Sequence, residues 1–274
     1  MKVLLFCVYN YLMNEVLISI KNLEKTYNEV HSFLTPKKEA NHVLKNINLN
    51  INKGEIVSLV GESGCGKSTL ANCILKLITP ESGEILFDNQ NILKFDQKET
   101  FEYRKKIQMI FQNPYSSLNP KMKILETLEE PLIIHKEKNR LDRIMEIVSL
   151  VGLSEADLKK YPHEFSGGQR QRIAIARALI LKPELIVADE PVSALDVSIS
   201  ASIINLLLDL REKLNLTILF ISHDLNLVRY LSDKIAVMNK GKIVEFGEVQ
   251  DIFENPKDEY TKYLLSSIRT IKAN

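Results

Sequence analysis

Four short apolar runs rich in β-branched residues recur along the chain, at residues 56–60, 107–111, 185–188 and 217–221. Stretches with helical periodicity separate them. Continuous apolar runs of this length are typical of parallel strands that are buried on both faces. Their alternation with helices predicts an α/β domain with a parallel-sheet core, whose ligand binds beyond the carboxyl ends of the strands.

Alternating patterns elsewhere predict antiparallel strands. One is at residues 84–88, and two more, at 234–238 and 242–246, are separated by three turn residues and predict a hairpin. The polar segment 28–42 predicts an exposed loop between two outer strands. An antiparallel β subdomain is therefore expected beside the parallel core.

A helical insertion is predicted from residue 124 to about residue 160. The pattern there changes to helical periodicity with charged faces, and Pro131 and Gly152 interrupt it. This insertion lies between the second and third buried runs, so it interrupts the α/β core.

Composition narrows the class of protein. A chain of 274 residues with 45% apolar and 26% charged residues can form a large core, or one core with a subdomain. The net charge of +1 gives no global field for nucleic acid, which is not expected as a partner. The cysteines Cys7, Cys65 and Cys73 lack metal-ligand spacing, so disulfides are not expected and a reducing compartment fits. No apolar run reaches the ~18 residues that span a bilayer.

The N-terminus allows two interpretations. Lys2 and the apolar residues 3–9 look like a short signal-peptide core, but no small-residue cleavage site follows before Asn14. We favour a translation start at Met13, which makes residues 1–13 a mis-assigned start or disordered arm. The alternative is a short apolar arm that docks on a partner.

A glycine-rich segment follows the first buried run and leads into a helical pattern. Such a loop wraps backbone N–H groups around phosphate oxygens at a helix N-terminus. Lys67 would reach the β- and γ-phosphates, and the Ser68 hydroxyl would complete a Mg²⁺ shell. The alternative is a turn that merely connects two elements. The segment predicts that the chain binds a nucleoside triphosphate, through Gly61, Glu62, Ser63, Gly64, Cys65, Gly66, Lys67, Ser68 and Thr69.

Polar residues follow three of the other buried runs. Asp189 and Glu190 follow residues 185–188, and adjacent strand residues point to opposite faces, so the two acids can act differently. Asp189 would hold the Mg²⁺ water shell, and Glu190 would polarise an attacking water. Gln112 could touch metal or water, and His223 could donate a hydrogen bond to the γ-phosphate. Solvated strand-end acids and a structural histidine are the alternatives.

A second phosphate-ready helix N-terminus lies about a hundred residues after the first, at Ser166, Gly167, Gly168 and Gln169. One triphosphate bound to one chain does not need a second site of this kind, so two chains could share a triphosphate between them. Here the sequence resembles the ATP-binding subunits of ABC transporters, whose signature reads LSGGQ where this chain has FSGGQ. The resemblance covers residues 16–265, with the motifs in the family's order.

The resemblance implies a P-loop NTPase fold of the RecA-like type, with a cassette at residues 14–250 and a helical subdomain, about residues 115–172, that carries the signature. It implies a head-to-tail dimer that holds ATP between the phosphate loop of one cassette and the signature of the other. Tyr27 would stack on adenine, although Phe33 could compete, and Gln112 and His223 would be catalytic with Glu190. The dimer-contact loop would be Ser193, Ala194, Leu195 and Asp196, and Mg²⁺ would be held by Ser68, Gln112 and Asp189.

Residues 112–120 resemble the corresponding segment of dipeptide, oligopeptide and nickel importers, especially the second of their two ATPase subunits. The same importers are resembled by residues 191–198 and by the tail, residues 251–274. The implied partners are a second related cassette or a copy of this chain, two membrane permeases and an extracytoplasmic substrate-binding protein. The implied location is the cytoplasmic face of the inner membrane, as a peripheral subunit. No cysteine follows Cys73, so no iron–sulfur cluster is expected.

Other classes remain open. An exporter cassette is disfavoured by residues 112–120 and by the absence of fused membrane helices. A soluble ABC ATPase acting on ribosomes or DNA usually carries paired cassettes or a long coiled-coil insertion. An unrelated P-loop GTPase or kinase would leave FSGGQ unexplained. Within the importer class, the cargo is a dipeptide, a longer peptide or nickel.

Overall fold

The computed structural model describes residues 15–27, 41–112 and 117–269. The N-terminal segment 1–13 and most of the predicted loop at 28–42 therefore lie outside the described residues. The described elements, in chain order, are β1 (Val16–Tyr27), β2 (Asn41–Asn52), β3 (Ile56–Val60), α1 (Lys67–Ile74), β4 (Ser82–Phe87), β5 (Gln90–Asn91), α2 (Gln97–Lys106), β6 (Ile107–Ile110), α3 (Ile124–Ile134), α4 (Arg140–Leu150), α5 (Gly167–Leu179), β7 (Leu185–Asp189), α6 (Val197–Leu214), β8 (Thr217–Ile221), α7 (Leu225–Leu231), β9 (Lys234–Asn239), β10 (Lys242–Glu248), α8 (Val249–Glu254) and α9 (Glu259–Arg269).

The chain divides into two compact units. The first comprises residues 1–100 and 219–274, and the second comprises residues 101–218. The division falls within α2 and within β8.

The first unit contains an antiparallel sheet with the strand order β2-β1-β4-β5. The long pair β1 and β2 runs from the partners Val16 and Asn52 to the partners Tyr27 and Asn41. Ile18 and Ile20 of β1, which pair with Phe87 and Ile85 of β4, are fully buried or nearly so. The predicted strand at 84–88 is thus present, within one or two residues of its expected bounds.

The strands of the first unit that carry the nucleotide motifs have the order β10-β9-β3-β8. Strand β3 is parallel to β9, and all five of its residues are buried, as its continuous apolar sequence predicts. Strands β9 and β10 are antiparallel, so the predicted hairpin is confirmed. This hairpin matters for the site because its turn contacts the loop that follows β3.

The second unit contains the parallel strands β6 and β7 and the predicted helical insertion. The strands pair from Ile107 with Leu185 to Ile110 with Ala188. The insertion is present as α3 and α4, followed by two 3₁₀ turns at Glu155–Lys159 and Pro162–Glu164. Helix α4 ends just before Gly152, which has a positive φ of 72°. Pro131 does not end α3, which continues to Ile134.

Among the residues that the structure describes, no helix is both long and apolar enough to cross a membrane.

Candidate nucleotide site

The shape of the loop between β3 and α1 depends on its glycines and on close contacts with backbone from other parts of the chain. Gly66 caps α1 with a φ of 113°, and Gly61 has a φ of 151°. A Cβ atom on Gly61 would lie 2.1 Å from the carbonyl oxygen of Met238, and one on Gly66 would lie 2.9 Å from that of Val43. No side chain fits at either position.

Gly64 differs from Gly61 and Gly66 in the space around it. Its φ is 79°, but an added Cβ would meet nothing within 4 Å. Glycine is therefore needed at this position for backbone conformation alone. Ser63 and Gly64 lie in the exposed part of the loop, next to the exposed Glu62, where backbone N–H groups can approach an anion.

The turn of the β9–β10 hairpin supports the loop. The Gly241 N–H donates to the Cys65 carbonyl at 3.0 Å, and the Gly241 carbonyl accepts from the Lys45 N–H at 2.8 Å. A Cβ on Gly241 would lie 2.5 Å from the Val43 carbonyl oxygen. Strand β2 and the hairpin turn therefore hold the phosphate loop from one side.

Lys67 lies inside the loop and is only 8% exposed. Its Nζ donates to the carbonyl oxygens of Gly61 at 2.7 Å and Glu62 at 2.8 Å. Burial raises the pKa of the Cys65 thiol against the opposing effect of the nearby ammonium, so this cysteine stays protonated. A buried ammonium at the start of a helix, under an exposed loop of N–H groups, is a donor set that fits a triphosphate. Ser68 follows on the exposed side of the first turn.

His223 follows β8 in the first unit. Asp224 caps α7 by accepting from the N–H groups of Asn226 and Leu227, and the Ser222 hydroxyl accepts from the Asp224 N–H. These bonds fix the backbone on both sides of His223, whose side chain is exposed.

Tyr27 is the last residue of β1, and its side chain is 40% exposed. The Lys25 ammonium lies 5.3 Å from the centroid of its ring. An exposed ring is chemically able to stack on a base. The competing Phe33 lies outside the described residues.

Asp189 and Glu190 are placed differently from the sequence argument. Strand β7 ends at Asp189, and Glu190 has a left-handed φ of 45°. The alternation of strand side chains therefore does not apply to Glu190. A non-glycine residue in this region is strained by ~1–3 kcal/mol, and such strain is concentrated at functional sites. No pattern in the sequence signals this conformation.

The second unit brings Gln112 and Glu190 together, although they are 78 positions apart. The Gln112 Nε2 donates to a Glu190 carboxylate oxygen at 2.9 Å. The N–H and hydroxyl of Ser193 donate to the Glu190 carbonyl at 3.2 and 3.1 Å. Glu190 is thus held at its carboxylate by the Gln112 amide and at its backbone by Ser193 of the predicted dimer-contact loop.

The signature segment forms the N-terminus of α5. Ser166 caps the helix, with its hydroxyl accepting from the Gln169 N–H at 3.3 Å, and the Gln169 side chain accepts from the Ser166 N–H at 3.0 Å. Ser166 and Gln169 are exposed, whereas Gly168 is buried. A Cβ on Gly168 would lie 2.5 Å from Ile199 of α6, which explains the glycine at this position.

The predicted dimer-contact loop, residues 193–196, lies between Glu190 and α6. Ser193, Ala194 and Asp196 are exposed, and Leu195 is partly buried. The buried Ser200 hydroxyl lies 3.3 Å from the carbonyl oxygens of Val192 and Leu195. It therefore fixes the loop from its buried side. The result is an exposed loop of defined shape.

A strand that ends in a glycine-rich loop, with a buried lysine at the first turn of the next helix, defines a P-loop nucleotide-binding protein. Comparison with known proteins narrows the class. The family model described as ABC transporter matches residues 44–193. The oligopeptide transport ATP-binding protein OppF of Bacillus subtilis is 48% identical over 93% of this chain and 83% of the relative. The dipeptide transport ATP-binding protein DppF of Escherichia coli is 43% identical over 93% of this chain and 77% of the relative.

Solved structures agree. The ATP-binding cassette MJ0796, a dimer in a post-hydrolysis state bound to ADP and Pi, has a TM-score of 0.72 and 36% identity, covering 85% of this chain and 98% of that one. The cbiO1 protein of Clostridium perfringens, part of the cbiONQ transporter complex, has a TM-score of 0.77 and 27% identity, covering 95% of this chain and all of that one. This chain belongs to the ABC transporter family.

Proposed function

We propose that this chain is the ATP-hydrolysing subunit of an ABC importer for peptides. The observation that carries the proposal is the similarity over 93% of the chain to oligopeptide and dipeptide transport ATP-binding proteins, together with an intact phosphate loop. Nickel, the third cargo expected from the sequence, is not named by these relatives.

The residues of the first unit bind the triphosphate. Lys67 turns from the carbonyl oxygens of Gly61 and Glu62 to the β- and γ-phosphates, and the exposed backbone of Ser63 and Gly64 donates to phosphate oxygens. Of this unit, Ser68 would hold Mg²⁺, which supplies charge neutralisation at the phosphates when bound, and the further ligands proposed for the ion, Asp189 and Gln112, belong to the second unit. Tyr27 stacks on the base.

Glu190 is the residue that polarises the attacking water. Its carboxylate is oriented by the Gln112 amide, so the position of Gln112 governs whether Glu190 points at the water. His223 donates a hydrogen bond to the γ-phosphate. These roles divide the chemistry among phosphate binding, water activation and recognition of the terminal phosphate.

The signature binds the ATP of a second cassette. Ser166 and Gln169 are exposed at a helix N-terminus, where the dipole favours an anion. The dimer-contact loop, residues 193–196, is exposed next to Val197, which is 88% exposed, as expected of a surface that a partner covers. Closure by ATP and reopening after hydrolysis would drive alternating access of the permeases.

Arginine in place of Ser166 should prevent closure without preventing ATP binding. The bulky cation would fill the space for the other cassette's γ-phosphate, whereas the phosphate loop of the same chain is unchanged. We would measure ATP-driven association by light scattering and ATP binding by calorimetry. The sample is this chain alone or its pair with a related cassette, depending on which of the two associates in the wild type. Ser149→Arg, on the exposed side of α4, is the control. Normal association of Ser166→Arg would refute the shared site.

A groove in the second unit is the expected contact for a permease segment. Its volume is about 390 Å³, and Arg177 donates to Glu130 at 3.0 Å and to the Ser117 carbonyl at 3.3 Å. It begins five residues after Gln112, so a permease that moves this segment could reposition the amide that orients Glu190. The groove is lined by residues 117–120, Met122, Thr127, Glu130 and Arg177.

Purification of the tagged chain from native membranes in mild detergent tests the proposal. We expect two permeases, a second cassette and a substrate-binding protein by mass spectrometry, with the subunit on the cytoplasmic face of the membrane. An untagged strain is the control. Recovery with ribosomes or DNA instead would overturn the transport role and leave the ATPase site standing.

A further inference from the structure

The tail, residues 251–274, contains most of helix α8 and all of helix α9, and both helices pack behind the strand that leads into the phosphate loop, within the first unit. One buried apolar cluster contains Val60, the last residue of β3, together with Ile252 of α8 and Leu265 of α9. Tyr260 packs against the same cluster. The strand that leads into the phosphate loop therefore shares its core with the tail.

The start of α9 is fixed by a set of hydrogen bonds. The Glu245 carboxylate of β10 accepts from the N–H groups of Lys257 at 2.8 Å and Asp258 at 3.1 Å, and the Asp258 side chain accepts from the Tyr260 N–H at 2.9 Å. Burial alone would raise the pKa of Glu245, but the bonds from these N–H groups and the nearby Lys257 charge outweigh it and hold the pKa below its usual range. Glu245 thus stays ionised, and the backbone of Tyr260 is held in place.

The Tyr260 hydroxyl reaches the phosphate loop itself. It accepts a hydrogen bond from the Glu62 N–H at 3.0 Å, across 198 positions of sequence. Burial raises the pKa of Tyr260, against the opposing effect of this hydrogen bond, so the hydroxyl remains neutral at physiological pH. Glu62 is the second residue of the loop, directly after Gly61.

The residue at position 62 is consequently held on both sides. Tyr260 accepts from its N–H, and Lys67 donates to its carbonyl at 2.8 Å. When the ammonium turns to phosphate oxygens, the loop loses its bonds from Lys67 to the carbonyls of Gly61 and Glu62. The Tyr260 bond does not use the ammonium and is available throughout.

We propose that Tyr260 is a positioning residue for ATP binding, which keeps the first half of the phosphate loop in its nucleotide-ready conformation. It touches no phosphate, and acts through the Glu62 peptide. The tail is by this role part of the nucleotide site. Because ATP orders the loop once it is bound, the contribution of Tyr260 falls in the binding step and not in the chemical step.

Tyr260→Phe in the full-length chain tests this role, since it removes the hydroxyl and keeps the ring on the apolar cluster. A net hydrogen bond corresponds to about a two- to tenfold change in an equilibrium constant. We expect the Kd for ATP, measured by calorimetry, and the KM for ATP to rise by that factor. We expect kcat at saturating ATP and the thermal midpoint without nucleotide to be unchanged.

Tyr263→Phe is the matched control. It makes the same chemical change on the same helix, at a side chain that is 67% exposed, and should leave Kd, KM and kcat at their wild-type values. The proposal is overturned if Tyr260→Phe binds ATP as tightly as Tyr263→Phe. A lower thermal midpoint with unchanged Kd and KM would show that Tyr260 serves packing only, and would also overturn it.

Discussion

Replacement of Glu190 by glutamine will stop ATP turnover and preserve ATP binding. The amide cannot accept a proton from the attacking water, and loss of a general base typically costs about 10²–10⁴-fold in rate. The side chain keeps its size, and the Gln112 amide can still donate to the new carbonyl oxygen, as it does to the carboxylate at 2.9 Å. We would measure phosphate release at saturating ATP and ATP affinity by calorimetry.

The control for this variant is Glu155→Gln, which changes an exposed carboxylate elsewhere in the second unit. It should turn over at the wild-type rate. Hydrolysis by Glu190→Gln at the wild-type rate would show that another group polarises the water.

Replacement of Lys67 by alanine will weaken triphosphate binding itself. The ammonium is buried in the loop, and each charge-assisted hydrogen bond to phosphate is worth about 1.5–3 kcal/mol, so a loss of ~10–100-fold or more in affinity is expected. The variant also removes the two bonds from Nζ to the carbonyls of Gly61 and Glu62. We would measure ATP affinity at equilibrium and the thermal midpoint without nucleotide.

Lys98→Ala, at an exposed position of α2, is the control and should bind ATP normally. Lys67→Met serves as a second variant, because its unbranched stem fills the same space if alanine destabilises the loop. ATP affinity equal to wild type in a folded Lys67 variant would exclude the assigned role.

The elements that the sequence predicts best are those that packing constrains on every side. Strands β3 and β8 have the predicted bounds because all their residues are buried, which restricts them to apolar residues apart from Ser58 and Thr217. Pro131 was expected to interrupt the helical pattern, yet α3 continues through it. One lost backbone hydrogen bond is outweighed by burial of Leu128 and Leu132 on the two sides of the proline.

The parts of the candidate site that the sequence did not predict depend on long-range contacts. The hydrogen bond between Gln112 and Glu190, and the one between Glu62 and Tyr260, join residues far apart in the chain, and no local pattern encodes such a pair. The left-handed conformation of Glu190 is set by its surroundings, because its own side chain disfavours it. The residue types indicate the chemistry, but the relative orientation of the side chains follows only from the fold.

The glycine-rich segment is not self-sufficient as a binding motif. Its conformation is complementary to the carbonyl oxygens of Met238 and Val43, and the turn at Gly241 bonds to Cys65. Residues 61–69 grafted onto another strand–helix junction would carry the right side chains without the surface that shapes them. The β9–β10 hairpin and the phosphate loop are therefore one structural unit, and a change in the hairpin turn will be felt at the nucleotide site although about 170 positions of sequence separate them.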